Sequence, residues 1–216
     1  MNEFENTLNV YVNVVDKLLN MKGNICSWSK DNSYANFLVP AFKTMVTQHG
    51  RGENYRYYMR HFRIMSWIIC QEEKFSNVQR IEGKPVRVIT VDYKLYAKLK
   101  LMVGNNTYNN YLNTFVKSVD LIIDVSKTNK KDICMFSCNG TIANIKSSDF
   151  RMLLRKCSET MSEYKECIEI FRNMAWIISQ PGNYTNVQWI KGKSIRVISV
   201  DYVKYKMIKQ LMGEKI

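Results

Sequence analysis

The sequence has no long hydrophobic run. Its longest apolar stretches, such as Trp67–Cys70 and Leu121–Ile123, are far shorter than the roughly 20 residues that an apolar helix needs to cross a bilayer. The N-terminal segment MNEFENTLNVYVNVVD is acidic and lacks the charged-then-apolar layout of a signal peptide. These two absences predict a protein that has no membrane partner.

Metal ligands and paired cysteines are also scarce. The chain has two histidines, His49 and His61, and none of its six cysteines belongs to a CxxC pair. A structural zinc site needs more ligands at closer spacing, so we expect neither a metal nor a cofactor. Cys26 and Cys134 lie in apolar segments and are predicted to be buried free thiols. Free thiols indicate a reducing compartment, which is the cytoplasm, or the nucleus if the source is eukaryotic.

The chain is rich in apolar residues and in basic charge. Hydrophobic residues make up 46% of it, which is enough for a packed core. It carries 32 Lys and Arg against 19 Asp and Glu, a formal net charge of +13. Such an excess favours partners that bear phosphate, through attraction and counterion release. The bias toward Asn, Lys, Ile and Tyr indicates an AT-rich genome, such as that of a low-GC bacterium, a phage, a plasmid or a large virus.

An internal repeat organises the whole chain. Phe62–Gly104 returns as Phe171–Gly213 without a gap, and about half of the aligned positions are identical. Upstream, Phe4–Leu19 matches Tyr108–Ile123. The chain is therefore predicted to be a duplicated domain.

The boundary between the two copies falls in a turn sequence. Gly104–Asn106 reads GNN, a good turn signal, so we predict one domain at 1–104 and a second at 105–216. A unit of about 100 residues is a domain and not a short solenoid repeat.

Each copy is predicted to be a mostly helical α+β domain. Apolar spacing, turn residues and strand-like alternation predict the same order of helices and strands in both copies. In the first copy this is a helix at 4–20, a strand at 24–28, a polar connection at 31–37, helices at 40–48 and 54–71, strands at 76–81 and 86–91 around a Glu-Gly-Lys-Pro turn, and a helix at 93–103.

This order, with a hairpin tipped by Gly-Lys in both copies, resembles the winged helix-turn-helix family of DNA-binding domains. The resemblance covers most of both copies, so the expected fold is two tandem winged-helix-like domains. It implies that the third helix of a copy reads DNA and that the hairpin, the wing of the family, contacts the DNA backbone.

The third helix of the first copy has an apolar face and a basic face. The apolar positions recur at helical spacing and are Tyr58, Phe62, Met65 and Ile69. Arginine can bind a guanine edge or a phosphate, and tyrosine can bind a phosphate. The candidate DNA contacts on this helix or just before it are Arg51, Tyr55, Arg56, Tyr57, Arg60 and Arg63. An ordinary solvated helix face is the alternative interpretation.

The matching helix of the second copy carries acidic residues. Glu163, Glu166 and Glu169 lie on it, and Lys165 and Arg172 are its remaining candidate DNA contacts. Carboxylates repel phosphates, so this helix is predicted to be a poor reader of DNA. We therefore expect the two copies to have divided their roles. The second copy is a candidate surface for a homodimer or for another protein.

Both hairpin tips are basic. A basic two-stranded ribbon can enter a minor groove or bind phosphate, although Gly-Lys also makes a good solvated turn. The candidate contacts here are Lys84 and Arg87 in the first copy and Lys191, Lys193 and Arg196 in the second.

Catalysis is not expected. Asp92 and Asp201 each precede a predicted helix, where an aspartate is well explained as a cap. No accompanying acid or lysine supports a nuclease site, so no catalytic residue is predicted.

The sequence thus predicts a non-enzymatic, sequence-specific protein that binds double-stranded, AT-rich DNA. It would act as a transcription regulator or as an accessory factor at a replication, partition or transfer site. Two alternatives stay open. One is a protein-binding winged-helix module, such as an inhibitor from a virus or mobile element. The other is an RNA-binding protein.

Overall fold

The computed structural model of the chain describes residues 3–23, 25–50, 54–71, 74–103, 106–129, 133–157, 161–180, 183–190 and 192–214. The chain divides into two compact units. Unit 1 comprises Met1–Gly104 and Leu211–Gly213, and unit 2 comprises Asn105–Gln210 and Glu214–Ile216. The described residues form eight helices and two small antiparallel sheets, so the fold class is α+β.

The described residues of unit 1 form four helices and five strands. In chain order they are α1 (Glu3–Asn20), β1 (Cys26–Trp28), β2 (Tyr34–Leu38), α2 (Val39–His49), α3 (Tyr55–Ile64), β3 (Ile68–Ile69), β4 (Asn77–Ile81), β5 (Lys84–Asp92) and α4 (Tyr93–Met102). The first, second and fourth helices confirm the bounds predicted for them to within a residue or two.

The described part of unit 2 repeats this order. Its elements are α5 (Asn106–Asn129), β6 (Cys134–Phe136), β7 (Ile142–Lys146), α6 (Ser147–Cys157), α7 (Met161–Asn173), β8 (Ile177–Ile178), β9 (Asn186–Ile190), β10 (Lys193–Asp201) and α8 (Tyr202–Leu211).

A long strand, β5, holds the sheet of unit 1 together. The first half of β5 pairs with β4, with Val78 opposite Arg87, and the second half pairs with β2, with Phe37 opposite Ile89. The short strand β3 pairs with the other edge of that second half. In unit 2, β10 pairs with β9, β7 and β8 in the same way.

The helices cover one face of the sheet of unit 1, which we call the helix side. Alternate side chains of the strands point to opposite faces. Phe37, Ile89 and Val91 share one face, and all three are fully buried. The ring of Phe37 lies 6.1 Å from that of Phe42 on α2, which places the helices on this face.

Aromatic rings fill the core between α1 and the end of α3. The ring of Tyr11 lies 5.1 Å from Phe62 and 5.2 Å from Trp67, and the Tyr11 hydroxyl donates to the Trp67 carbonyl oxygen at 2.7 Å. Burial raises the pKa of Tyr11 well above its ordinary value. In unit 2, Phe115 lies 5.0 Å from Trp176 and packs without a hydroxyl.

The predicted polar connection at 31–37 is wrong, because most of it belongs to β2. Two of its polar residues are held by hydrogen bonds, Asn36 inside the fold and Asp31 at the surface. The Asn36 side chain is buried and accepts a hydrogen bond from Thr90 of β5. Asp31 closes the turn before β2 by accepting hydrogen bonds from the Ser29 and Ser33 hydroxyls, each at 2.6 Å.

The predicted third helix is too long, because α3 ends at Ile64 and the WII segment forms a turn and β3. The Trp67 N–H donates to the Phe62 carbonyl and the Ser66 N–H to the Arg63 carbonyl, which is a Schellman motif. Ser66 adopts φ 57° at the position where glycine is usual. Ile69 is therefore not on the helix and is 39% exposed.

The cysteines and the helix caps follow the predictions more closely. All six cysteines are free, but Cys26 and Cys134 are only half-buried, less than predicted. Burial raises the pKa of Cys134 to about 11. Asp92 accepts a hydrogen bond from the Leu95 N–H, and Asp201 from the Lys204 N–H, each at 3.0 Å, so both aspartates are confirmed as helix caps.

Candidate nucleic-acid interface

The α3 helix presents two arginines to solvent. Asn54 begins the helix, with its side-chain oxygen accepting the Tyr57 N–H at 2.9 Å. Tyr58 and Phe62 are fully buried against the core, whereas Arg56 and Arg60, one turn apart, are exposed. The first turn contains no acidic residue. This face is therefore basic along its length, as the sequence predicts.

The two candidate tyrosines are partly engaged in the fold. The Tyr57 hydroxyl hydrogen-bonds to the Glu3 carboxylate, and its ring lies 4.2 Å from that of His61. Tyr55 is half-buried, with the Lys43 ammonium 6.0 Å from its ring centre. Burial raises the pKa of Tyr55. Both side chains thus position α3 against its neighbours.

Arg63 lies between the third helix and the hairpin. Its guanidinium stacks over the Phe75 ring at 5.3 Å, two residues before β4 begins. In unit 2, Arg172 stacks over Tyr184 at 5.5 Å in the same position. Each cation–π contact joins the helix to the base of the hairpin.

The hairpin of unit 1 carries its arginines on the helix side. Arg87 lies two residues before the buried Ile89 on β5, so both side chains point to the same face. Val78 is paired with Arg87 across the hairpin, and Arg80 lies two residues further along β4, so Arg80 points to this face as well. Arg80, Lys84 and Arg87 are all exposed. The sequence alone does not single out Arg80.

The turn of this hairpin is shorter than predicted. Glu82 and Gly83 form it alone, with φ values of 50° and 79°, which is typical of a type I′ turn. Lys84 therefore belongs to β5, opposite Ile81, and does not lie at the loop tip. A two-residue turn fixes the register, and this register would have revealed Arg80 as the neighbour of Arg87.

The hairpin of unit 2 exposes a tryptophan. Trp189 is 77% exposed and lies opposite Ser194 on the same face as Val187 and Arg196. Arg196 is exposed on this face, and Lys193 is exposed on the opposite face of the hairpin. The sequence does not single out Trp189 either, because the face of the hairpin on which it lies depends on the strand register.

The third helix of unit 2 is mixed in charge, as predicted. Lys165, Glu166 and Glu169 are exposed and Arg172 is half-buried. Two of the candidate contacts, Arg51 and Lys191, lie outside the described residues.

The exposed arginines of unit 1 are not neutralised within the described ranges. There, none of Arg56, Arg60, Arg80 and Arg87 forms an ion pair. The basic surface, defined as the exposed side chains of Arg56, Arg60, Arg80 and Arg87, is therefore available to a polyanion, and Lys84 is exposed on the opposite face of the hairpin.

A second feature lies on the face of each sheet opposite the helix side. In unit 1 the Asn77 amide donates to Thr90 at 3.0 Å, and the Thr90 hydroxyl donates to Asn36 at 2.8 Å. The same polar relay recurs in unit 2 from Asn186 through Ser199 to Asn144, with identical distances.

The unit 2 relay lies in a groove of about 530 Å³. Asn144, Ser199 and Asn186 line it together with Phe136 and Ile178. The sequence gives no sign of this groove, because strand β7, which supplies Asn144, lies where only a polar connection is predicted.

Within the described residues, no three His, Cys, Asp or Glu side chains are grouped so that they could hold a metal ion. No helix in those ranges is long and apolar enough to cross a membrane. No protein-family model matches the chain, and no curated protein is significantly similar to it.

Proposed function

We propose that this protein binds double-stranded DNA without catalysis, in the manner of a tandem winged-helix protein. The basic surface of unit 1 carries the proposal. Two arginines of α3 and the basic side chains of the hairpin are exposed without ion pairs, and the arginines of the hairpin lie on the helix side of the sheet. A helix and a ribbon that offer charge together are suited to a groove and its flanking phosphates.

The order of the elements also supports the proposal. Each unit keeps the predicted order of helices with a hairpin after the third helix, and adds two strands to the predicted ones, β2 and β3 in unit 1. The stacked pair of Arg63 and Phe75 ties the hairpin base to the end of α3. Helix and hairpin can therefore approach one duplex without an internal rearrangement. The roles proposed are those of a transcription regulator or an accessory factor at a replication, partition or transfer site.

A mobility-shift titration across a salt series tests this function. AT-rich and random duplexes serve as probes, with single strands and duplex RNA as competitors. Each phosphate contact contributes a slope of about −0.9 to the plot of log affinity against log salt. Absence of any retarded duplex at low salt, or stronger competition by RNA, would overturn DNA binding as the function.

Matched charge reversals locate the contact. Arg56→Glu and Lys165→Glu change equivalent exposed positions of α3 and α7. We expect Arg56→Glu, alone or with Arg60→Glu, to lower the magnitude of the salt slope by about one for each residue. Lys165→Glu is expected to change it little, since Glu166 and Glu169 already surround that position.

Protein binding through unit 2 is a second candidate function. The exposed glutamates of α7 favour it, because carboxylates repel phosphates, and the groove beside Ser199 offers apolar and amide side chains to a protein partner. Co-purification of a stoichiometric protein partner without DNA affinity would select this function over the first.

A further inference from the structure

Trp189 differs from the two core tryptophans of the chain. Trp67 and Trp176 are fully buried, whereas Trp189 is 77% exposed. Within the described residues its ring has no hydrogen bond and no ring partner. A large aromatic ring left in water costs free energy that a partner would recover, and such rings are typical of binding surfaces.

The surroundings of Trp189 are basic. Val187, 59% exposed, lies two residues away on the same face, and the Val187 partner across the hairpin is Arg196. Lys193 begins the facing strand. On its face of the hairpin the ring therefore stands beside an exposed apolar side chain and Arg196, and Lys193 is exposed on the other face of the same hairpin. This combination matches a nucleic acid, whose bases offer flat apolar faces between phosphates.

The duplicated hairpin supplies an internal comparison. Arg80 occupies in unit 1 the place that Trp189 occupies in unit 2, and Arg87 corresponds to Arg196. The backbone pairing is the same in both hairpins. The replacement of Arg80 by Trp189 therefore changes this face of the hairpin from one that carries two arginines to one that carries an aromatic ring beside an arginine.

We propose that Trp189 inserts from the minor groove against a base step of the bound duplex, so that the unit 2 hairpin contacts bases while the unit 1 hairpin contacts phosphates. This proposal rests on the DNA-binding function proposed above. Apolar side chains that wedge into the minor groove partly unstack a base step, and AT-rich DNA contains flexible TA steps at which this costs least. Lys193 and Arg196 hold the flanking phosphates.

Two readouts on the full chain test the proposal. Titration of an AT-rich duplex is expected to quench the part of the tryptophan emission that Trp189→Phe removes. Trp189→Ala is expected to weaken binding ~5- to 150-fold, the range found for loss of one base–aromatic stack. Trp189→Phe, which keeps a flat ring, should retain most of the affinity.

Arg80→Ala is the matched control at the equivalent position. It should reduce the magnitude of the salt slope by about one and leave the emission change intact. Thermal unfolding of all three variants should match the wild type, because both side chains are exposed.

The outcomes separate the two proposals. If the wild-type chain retards no duplex, DNA binding itself fails. If the chain binds duplex DNA but Trp189→Ala neither weakens binding nor changes the quenching, the base contact is refuted and DNA binding stands. Stronger quenching by single strands than by duplex would also refute insertion into the minor groove.

Discussion

The helices α3 and α7 occupy the same place in their units and end in the same way. In both, a tryptophan N–H closes the helix on a phenylalanine carbonyl, at 2.8 Å in unit 1 and 2.9 Å in unit 2. In both, an arginine of the last turn stacks on an aromatic ring before the hairpin. The exposed faces differ, since Arg60 of α3 is replaced by Glu169 in α7.

This difference shows which constraints the duplicated fold retains. Buried contacts are shared because close packing penalises a change of even one methylene. Exposed charges are free to change, since an isolated surface substitution usually costs little. Under the proposed function, residues that differ between the copies at exposed positions, such as Arg80 and Trp189, are the ones expected to give the two units different contacts.

The largest predicted effect is loss of a shared core ring. Trp67→Ala and Trp176→Ala should each destabilise the chain by about 3–5 kcal/mol, because both rings are fully buried. Urea unfolding monitored by circular dichroism measures the loss, and Trp189→Ala is the exposed control. A loss below about 1 kcal/mol at either core position would show that the two cores are not equivalent.

The core and the helices could be predicted from the sequence, whereas two strands in each unit could not. Apolar spacing predicts α1, α2 and α4 well, because each buries one face. The end of α3 has no such signal. Ser66 and Ala175 take the left-handed conformation that glycine usually supplies, and Met65 and Ile69 continue a helical spacing past the real end.

The faces to which strand side chains point were also hard to predict, because they depend on contacts and on a register that the sequence pattern does not show. Strand β2 places Asn36 in a buried relay, so its polar residues resemble a loop in sequence. In the hairpins, the facing of Arg80 and Trp189 depends on a two-residue turn. Periodicity indicates that a strand exists, but only the register shows which side chains it exposes.

The second prediction concerns a triad that both units share. Tyr96 donates to Asp16, whose carboxylate also binds Lys100 at 2.5 Å, and in unit 2 Tyr205 donates to Asp120. Each Tyr→Phe change should cost about 1.5–3 kcal/mol at neutral pH, the value of a hydrogen bond to a charged group. Similar losses of unfolding free energy in the Tyr96→Phe and Tyr205→Phe variants would show that the triad contributes equally to the two units.

The same triad predicts a dependence on pH. Burial first, and then the hydrogen bond to aspartate, raise the pKa of Tyr96 and of Tyr205. Their contribution is therefore complete below the unfolded-state pKa of about 10 and declines as the pH rises above it toward the raised folded-state values. Unfolding measured from pH 7 to 11 should show a shallower alkaline decline in the Phe variants. If the stability of the Phe variants declines as steeply as that of the wild type, the tyrosines do not cause the alkaline decline.

The third prediction separates the two polar relays. Asn36 is 3% exposed, whereas Asn144 is half-buried and borders the groove. Asn36→Ala leaves the Thr90 hydroxyl without its acceptor and should cost about 1–3 kcal/mol. Asn144→Ala should cost less, because water can replace the amide. Thr90→Ser, which reproduces the serine of unit 2, is the conservative control, and equal losses at both asparagines would contradict the difference in burial.

The fourth prediction reverses the charge difference between the third helices. Glu169→Arg gives α7 the residue that α3 has at Arg60. If α7 faces the same duplex, the salt slope should grow in magnitude by about one and the affinity should rise at low salt. No change in slope, with Arg56→Glu still effective, would show that α7 lies away from the DNA and that unit 2 contacts the duplex through its hairpin alone.

The smallest predicted effect comes from a buried lysine that unit 1 lacks. Lys204 is 6% exposed, and its ammonium donates to the Ala175 carbonyl at 2.9 Å. Burial lowers its pKa, and the nearby Asp201 opposes that shift. The folded state thus binds this proton more weakly than the unfolded chain, so stability rises with pH between the lowered pKa and about 10.4.

Leu95 occupies the equivalent position of unit 1 and serves as the guide for substitution. Lys204→Leu should be neutral or stabilising by up to about 1 kcal/mol at pH 7, because it removes a desolvated charge and fills the same space with apolar atoms. Asp201 keeps its cap through the backbone N–H of residue 204. Unfolding measured between pH 7 and 10 should lose the rise that Lys204 causes. A loss of more than about 2 kcal/mol would instead show that the bond to the Ala175 carbonyl outweighs the cost of burying the ammonium.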